Sequence, residues 1–349
     1  MKANFYNQRQ VSRLAALLVG LCFLIPVAAG QNSWSSSQID DVFSGGKVDI
    51  KAGLALIATA ETTAYDFGMD LLAAEHFSLA IAWYEAMAID TGEFLYVYGR
   101  AYSRWEKGDN DNALQDALYL SDQKLTPLLE ARTYYLLGNI SEDSGLFELA
   151  DKYFTNSFDI YKRIGKQGGV RNSLIKKALC AIYLGRYKDV LSLLKRSQVA
   201  ENKNVENGYK PVGMGPHYSI LGDMHFWKRE YEKAFKYNKM AQQEFQKSNF
   251  SDAANSCLVK LGIINFLLKK PRAAYEIVEE LNNNHPQERN LAYLNVLLAK
   301  ISQCGQDEAY SQARYNAAME WANDRPGGGK LTHLAEFLMN QPCPKLEED

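Results

Sequence analysis

The sequence predicts an all-α solenoid of about six to seven stacked helical hairpins. One observation carries most of this: a small residue is followed twelve positions later by another small or β-branched one, and the spacing recurs six times. Composition supplies the rest. The 349 residues are 47% hydrophobic and 23% charged, which is ordinary globular usage and excludes a disordered chain, a collagen or a polytopic membrane protein. A formal charge of −2 gives no field for a phosphate backbone, so a nucleic-acid partner is not expected. Five cysteines in this length exclude a disulfide-dense scaffold.

The chain opens on a basic leader, Lys2, Arg9 and Arg13, with no acidic residue before Asp40. An apolar run follows from Leu14 to Ala29, and small residues at Ala28, Ala29 and Gly30 stand before Gln31. That order predicts a secretory signal peptide over residues 1–30. The run is shorter than the roughly 20 residues that span a bilayer, although an uncleaved signal anchor stays open. After cleavage no stable membrane span is expected. Leu21 before Cys22 is too large for a lipoprotein box, so no lipid anchor is expected. Residues 31–56, Ser-rich at the start and carrying Gly45-Gly46, read as an exposed lead-in whose end merges into the first helix.

The repeat-packing pairs are Gly68/Ala80, Ala101/Ala113, Gly138/Ala150, Ala178/Val190, Gly222/Ala234 and Gly262/Ala274. A small side chain in each helix lets two antiparallel helices approach closely, while bulky residues at i, i+3, i+4 and i+7 fill the space around that contact. Turns stand between several pairs, at Gly108-Asp109, Gly145-Leu146 and Gly185-Arg186, where glycine supplies a left-handed backbone. Phe77, Phe147, Tyr187 and Tyr231 precede the second small residue by three. One hairpin cannot bury its apolar face alone, but a stack can.

These residues resemble the tetratricopeptide repeat over residues 57–324, best in segments 136–161, 220–241 and 260–281. The resemblance implies a right-handed α-α superhelix. The second small residues step by 33, 37, 40, 44 and 40, so later copies exceed the family's period of about 34 and resemble the longer-period variant found in bacterial sensors and regulators. A degenerate seventh pair is expected from Arg289 to Asn323, with Gly305 near its turn. Pro271 falls at the tolerated first turn of a second helix. Residues 198–216 read as an overlong connection, either a lip over a binding surface or a disordered insertion. In the tail, residues 325–349, the segment from Thr332 to Met339 has helical spacing that suits a cap on the last repeat.

Chemistry is sparse, and no enzyme is expected. Gly327-Gly328-Gly329-Lys330 is not a phosphate loop, because Asp324 and Leu331 occupy positions that need Gly and Ser or Thr. His76, His217, His225, His285 and His333 form no i, i+4 zinc pair, so neither metal nor cofactor is expected. His225 reads as a satisfied interior histidine. Cys180 and Cys257 read as buried small hydrophobes. Export would permit a bridge between Cys304 and Cys343, pinning the tail to the array.

In the family that these repeats resemble, the first helix of each pair lines a concave surface. Its inner positions lie three before, one after, and four or five after the first small residue. Carried onto this sequence they give Tyr65 and Met69, then Tyr98, Tyr102 and Trp105, then Tyr135, Asn139, Glu142 and Asp143. Further along come Ile175 and Tyr183, then Asp223, Phe226 and Trp227, then Ile263 and Phe266. Rigid aromatic surface with a few polar anchors suits a protein or peptide segment, although aromatics at this spacing also seal neighbouring repeats. The variant that clamps a C-terminal carboxylate needs basic residues absent from these places, so such capture is not expected. The resulting expectation is an exported, non-catalytic interaction scaffold, in the bacterial periplasm or otherwise secreted, serving an envelope complex. The alternatives are a small-ligand sensor or enzyme subunit holding a peptide or glycan, and a self-assembling structural array.

Overall fold

The computed structural model describes residues 34–44, 47–60, 62–283 and 288–324, with a few positions between 332 and 343. The expected signal peptide, His285, His333 and the Gly327–Lys330 stretch lie outside the described residues. Sixteen α-helices and no strand occur among those described. Two short helices, α1 (Ser36–Val42) and α2 (Ile50–Thr59), come first. Seven antiparallel pairs follow: α3 (Ala64–Ala73) with α4 (Phe77–Thr91), α5 (Phe94–Lys107) with α6 (Asn110–Ser121), and α7 (Pro127–Asp143) with α8 (Phe147–Arg163). The remaining four are α9 (Gln167–Tyr183) with α10 (Tyr187–Glu206), α11 (Gly215–Trp227) with α12 (Tyr231–Lys247), α13 (Ser251–Leu267) with α14 (Pro271–Asn283), and α15 (Glu288–Cys304) with α16 (Glu308–Asp324). First helices also pack on first helices, α3 on α5, α5 on α7, α9 on α11 and α13 on α15, which makes the array a solenoid.

Each hairpin is closed by one device. A residue with positive φ stands seven positions after the first small residue: Glu75 after Gly68, Gly108 after Ala101, Gly145 after Gly138, Gly185 after Ala178, Arg229 after Gly222 and Lys269 after Gly262. Its N–H and the next one bond back to the preceding turn, as in Gly145 N to Glu142 O and Leu146 N to Ser141 O, both 2.9 Å. That arrangement satisfies carbonyls otherwise orphaned at the helix end. The seventh pair follows the same rule. Gln306, with φ 64°, stands seven after Ala299, and Ser311 stands twelve after it. The reversal thus falls on Gln306 and not on Gly305. At the hairpin reversals three non-glycine residues besides Gln306 hold this backbone, Glu75, Arg229 and Lys269, and Asn249 holds it between two hairpins.

The second small residues, Ala80, Ala113, Ala150, Val190, Ala234 and Ala274, are all wholly buried in the core clusters. Their burial agrees with a packing role, but the expected contact of small residue on small residue is corrected. A Cβ added at Gly68 would stand 2.3 Å from Tyr84 Cζ, and one at Gly138 would stand 2.5 Å from Phe154 Cε1. At Gly222 it would strike the Asn238 amide. Each of these partners lies four residues beyond the second small residue, so Gly68, Gly138 and Gly222 do not meet Ala80, Ala150 and Ala234 first. At Gly262 the nearest atoms belong to Leu297 of the next hairpin and to Ile277, and Ala274 offers only its carbonyl, at 3.9 Å. The reason is antiparallel geometry. The reversal seven residues after Gly68 sets it opposite Tyr84, while Ala80 stands one helical turn nearer the bend. Tyr84 and Phe154 are wholly buried, and each ring packs against a glycine of the facing helix. Tyr84 also donates its hydroxyl to the Tyr65 carbonyl at 2.7 Å, which satisfies a phenol that burial would otherwise penalise.

Two further expectations are corrected. The lead-in is not exposed coil. Ser35 forms a capping box with Gln38 that starts α1, and Ile39, Val42 and Ile57 are buried against Phe67, Trp83 and Tyr84. Trp34 docks edge-on to Phe67, at 5.2 Å between ring centroids, and donates to Asp70 Oδ2 at 2.8 Å. Apolar residues spaced along this segment outweigh its serine content and seal the first hairpin. Nor is 198–216 one long connection. Residues 198–206 continue α10, with Ala200 and Glu201 buried, so only 207–214 link it to α11. The polar run of that stretch is a solvated helix face, not a loop.

At the far end Cys304 and Cys343 are joined by a disulfide. Lys300 Nζ donates to the Met339 carbonyl at 3.0 Å, and Ala335 and Leu338 are fully buried in the last core cluster.

Candidate functional site

The first four hairpins enclose a cavity of about 170 Å³. Its wall is built from the inner faces of α3, α5, α7 and α9, and the repeat spacing explains which residues reach it. Counted from the first small residue, the lining positions are −3 and +1 on α3 (Tyr65, Met69) and −3, +1 and +4 on α5 (Tyr98, Tyr102, Trp105). On α7 they are −6, −3 and +1 (Arg132, Tyr135, Asn139), and on α9 −6 and −3 (Asn172, Ile175). Steps of three and four keep one helix face toward the groove. Tyr161 and Gly169 complete the wall where α8 meets α9. A Cβ at Gly169 would strike the Tyr161 ring at 2.4 Å, so the missing side chain is what lets that ring lie down.

Electrostatically the wall is donor-rich. Burial pushes the Tyr65 and Tyr161 hydroxyls up to about 12, with the nearby Arg132 charge pulling the other way, and burial raises Tyr98, Tyr102 and Tyr135 as well. All five are therefore neutral phenols at ordinary pH. Asn139, only 4% exposed, keeps its Oδ1 buried with no hydrogen-bond partner, and it lines the cavity. A buried amide oxygen left so is costly unless a ligand or water reaches it. Arg132, half-buried on the same helix face, makes no ion pair or hydrogen bond among the described residues. A second, wider cavity of about 560 Å³ shares Arg132, Tyr161, Gly169 and Asn172 and opens toward Asn204, Asn207 and Tyr209.

Six expected inner-face residues, Tyr65, Tyr98, Tyr102, Trp105, Tyr135 and Asn139, come together here, along with Met69 and Ile175. None of the repeat-packing residues lines it, although Met69, Tyr98 and Ile175 belong to the core clusters as well as to the wall. The structure does not bring Tyr183, Asp223, Phe226 and Trp227 to the cavity. Tyr183 stacks on Phe147 at 4.2 Å and meets the Trp227 ring edge-on. Phe226 packs between Trp227 and Tyr231, and Asp223 is bound by Lys260 at 2.8 and 3.0 Å in the interior. Ile263 and Phe266 belong to the core. Glu142 is engaged by Lys176 at 2.9 Å, and Asp143 accepts from Trp105 Nε1 at 2.7 Å, which ties α5 to α7. Trp105 therefore has a structural duty as well as a groove-facing ring.

Arg132, Tyr161, Gly169 and Asn172 escaped the sequence reading. Arg132 and Asn172 sit one turn before the first position considered, so extending the count from −3 to −6 finds both. Tyr161 and Gly169 flank the joint between two hairpins, where counting from the small residues has no purchase.

Elsewhere, His225 is buried, stacks on Tyr237 at 5.2 Å and bonds Glu230 at 2.8 Å, and Cys180 and Cys257 are buried thiols. Among the described residues no cluster of His, Cys, Asp and Glu could hold a metal ion, and no helix is long and apolar enough to cross a membrane.

Solved structures share this architecture. A Rap protein complexed with competence and sporulation factor matches with a TM-score of 0.61 at 13% identity, over 82% of this chain and 89% of its own. NprR in complex with its cognate peptide NprX gives 0.53 at 16% identity, over 79% and 87%. A tetratricopeptide repeat protein from Parabacteroides merdae gives 0.50 at 12% identity, over 79% and 96%. No sequence-family model and no characterised protein matches the chain by sequence. The fold is that of tetratricopeptide-repeat arrays.

Proposed function

We infer that this protein is a non-catalytic scaffold that binds an extended protein or peptide segment in the groove of its first four hairpins. The carrying observation is Asn139: a buried amide oxygen without a partner, on a residue that lines a cavity walled by five tyrosines and a tryptophan. An amide side chain can serve both a peptide N–H and a C=O, and rigid aromatic walls bind at low entropic cost. Two of the structural neighbours are described as complexes, one with competence and sporulation factor and one with a cognate peptide, which accords with this use of the fold. The basic leader and apolar run before Gln31, together with the Cys304–Cys343 bridge, support export to an oxidising compartment, with the bacterial periplasm the natural setting.

The test compares purified wild type with Asn139→Ala as baits in envelope extract, with circular dichroism checking that both fold. A protein held by wild type and lost from the variant is the expected result. Equal retention by both baits would remove the groove from the function. Saturable binding of a glycan fragment with no protein retained would favour a small-ligand sensor, for which the same aromatic walls offer stacking surfaces.

A further inference from the structure

The wider cavity, at about 560 Å³, has the size of a small-molecule pocket, and its lining differs in kind from that of the groove beside it. Four carboxamide side chains reach it: Gln167 and Asn172 from α9, Asn204 from α10 and Asn207 from the connection that follows. Two tyrosines flank them, Tyr161 at the wall shared with the groove and Tyr209 at the rim, 57% exposed. Its cations are Arg132, at the shared wall, and Lys166, in the exposed turn before α9.

A buried ion pair holds part of this lining in place. Arg171 gives Nε and Nη2 to Asn172 Oδ1 at 3.0 and 2.8 Å, and Nη1 to Glu201 Oε2 at 2.6 Å. Glu201 Oε1 accepts the Val212 N–H at 2.7 Å. The pair thus fixes the Asn172 amide on one side and, on the other, anchors the 207–214 connection that carries Asn207 and Tyr209. Asn172 is left with its amide N–H groups for a ligand. The side chains of Gln167, Asn204 and Asn207 make no hydrogen bond among the described residues, so each keeps both donors and an acceptor. A Cβ at Gly168 would stand 3.6 Å from Asn204 Oδ1, and its absence keeps that amide uncovered. Amides with both roles open, beside aromatic rings, complement a saccharide, whose hydroxyls each donate and accept at one oxygen and whose C–H faces pack on tyrosine. A simple anion would use the donors alone.

We propose that the second cavity is a saccharide subsite, and that the ligand is a short peptide bearing an acetamido sugar. The sugar sits among Asn172, Asn204 and Tyr209, and the peptide runs past Tyr161 toward Asn139. The acetamido group suits the site because its amide pairs with a carboxamide side chain through two hydrogen bonds. The proposal rests on the first cavity being a peptide site, since the wall common to both lets one ligand span them. The disaccharide-peptide unit of bacterial cell wall has this chemistry.

The test is isothermal titration calorimetry of the purified protein with three probes: diacetylchitobiose, a neutral acetamido disaccharide; a cell-wall tetrapeptide; and the disaccharide-tetrapeptide. Wild type should bind diacetylchitobiose saturably, and about 0.5 M NaCl should leave that binding in place, because hydroxyl recognition is not screened. The disaccharide-tetrapeptide should bind at least about tenfold tighter than either part. Asn204→Leu and Tyr209→Ala should each weaken the sugar about tenfold and leave the tetrapeptide unchanged, whereas Asn139→Ala should do the reverse. Tyr209 is exposed, so its variant reads the site even if Asn204→Leu fails to fold. Diacetylchitobiose without binding heat, or binding indifferent to both Asn204→Leu and Tyr209→Ala, would overturn the proposal and leave the peptide groove standing. Disaccharide-tetrapeptide binding that salt abolishes, or that is no tighter than the sugar alone, would also overturn it. Asn139→Ala without effect on any probe would overturn the peptide reading and this proposal with it.

Discussion

Lys176 Nζ donates to Glu142 Oε2 at 2.9 Å although both side chains are almost wholly out of water, at 6% and 2% exposure. The pair joins α7 to α9 just behind the groove wall. Lys260 and Asp223 repeat it between α13 and α11, and both lysines stand two residues before a first small residue. Buried pairs of this kind hold adjacent hairpins in one register, because neither charge tolerates separation from its partner.

Removing one partner is therefore expensive. Lys176→Met should lower unfolding stability by about 3–5 kcal/mol, whereas Lys176→Met with Glu142→Leu should recover most of that loss. Chemical denaturation of the two variants checks this, and a double variant as unstable as the single one would contradict it.

Gly68→Ala and Gly145→Ala should fail differently. At Gly68 the added methyl meets the fully buried Tyr84 ring at 2.3 Å, an overpacking that costs about 1–3 kcal/mol. At Gly145 the methyl meets nothing within 4 Å, and only the φ of +74° opposes it, at about 1 kcal/mol. Loss of near-ultraviolet dichroism is expected for the first variant alone.

Reduction of Cys304–Cys343, or Cys343→Ser, should release the segment that buries Ala335 and Leu338. A loop of this size, with 39 residues of separation, contributes up to about 4 kcal/mol in the chain-entropy model. A lower melting temperature in dithiothreitol, with no further drop when Cys343→Ser is reduced, is the expected result.

His217 is 4% exposed, and its ring nitrogen meets Ser197 Oγ at 2.7 Å. Burial, reinforced by the nearby Arg171 charge, holds it below its ordinary value of 6.5. The unfolded chain takes up a proton as pH falls past about 6.5, while the folded one resists until lower pH. Stability should therefore fall on going from pH 7.5 to 5, and His217→Gln should flatten that slope in paired urea titrations.

Much of the architecture was legible because it rests on a rule of absence: where two helices touch, the side chain must be small. That rule marked six pairs, and the seventh, Ala299 with Ser311, obeys it through a hydroxyl that bonds the Ala299 carbonyl at 2.8 Å. Serine is small enough, but it lies outside an alanine-and-glycine pattern. The rule found positions and not partners, since a constant interval of twelve says nothing of which side chain a glycine faces, and Tyr84 rather than Ala80 fills the space over Gly68. The turns were half legible, since Glu75, Arg229, Lys269 and Gln306 adopt the left-handed backbone without glycine's help. There the two hydrogen bonds that close each hairpin outweigh a cost of about 1–2 kcal/mol per residue. Groove residues on helix faces could be counted from the repeat, and Arg132 was lost only by stopping one turn early. What no periodicity could reveal is how neighbouring groups share duties. The same inner register that gives Asn139 to the cavity gives Asp223 to Lys260.

The invariant interval from small residue to reversal to small residue confines every change of period to the stretch between one hairpin and the next. Each hairpin thus carries its own ruler. A segment cut at two equivalent points between hairpins, such as Gly165 and Asn249, comprises whole units with both reversals intact. Shuffling, duplication or deletion at such joints leaves the sealing helices at one end and the bridged tail at the other in place, so the groove's length is a modular quantity.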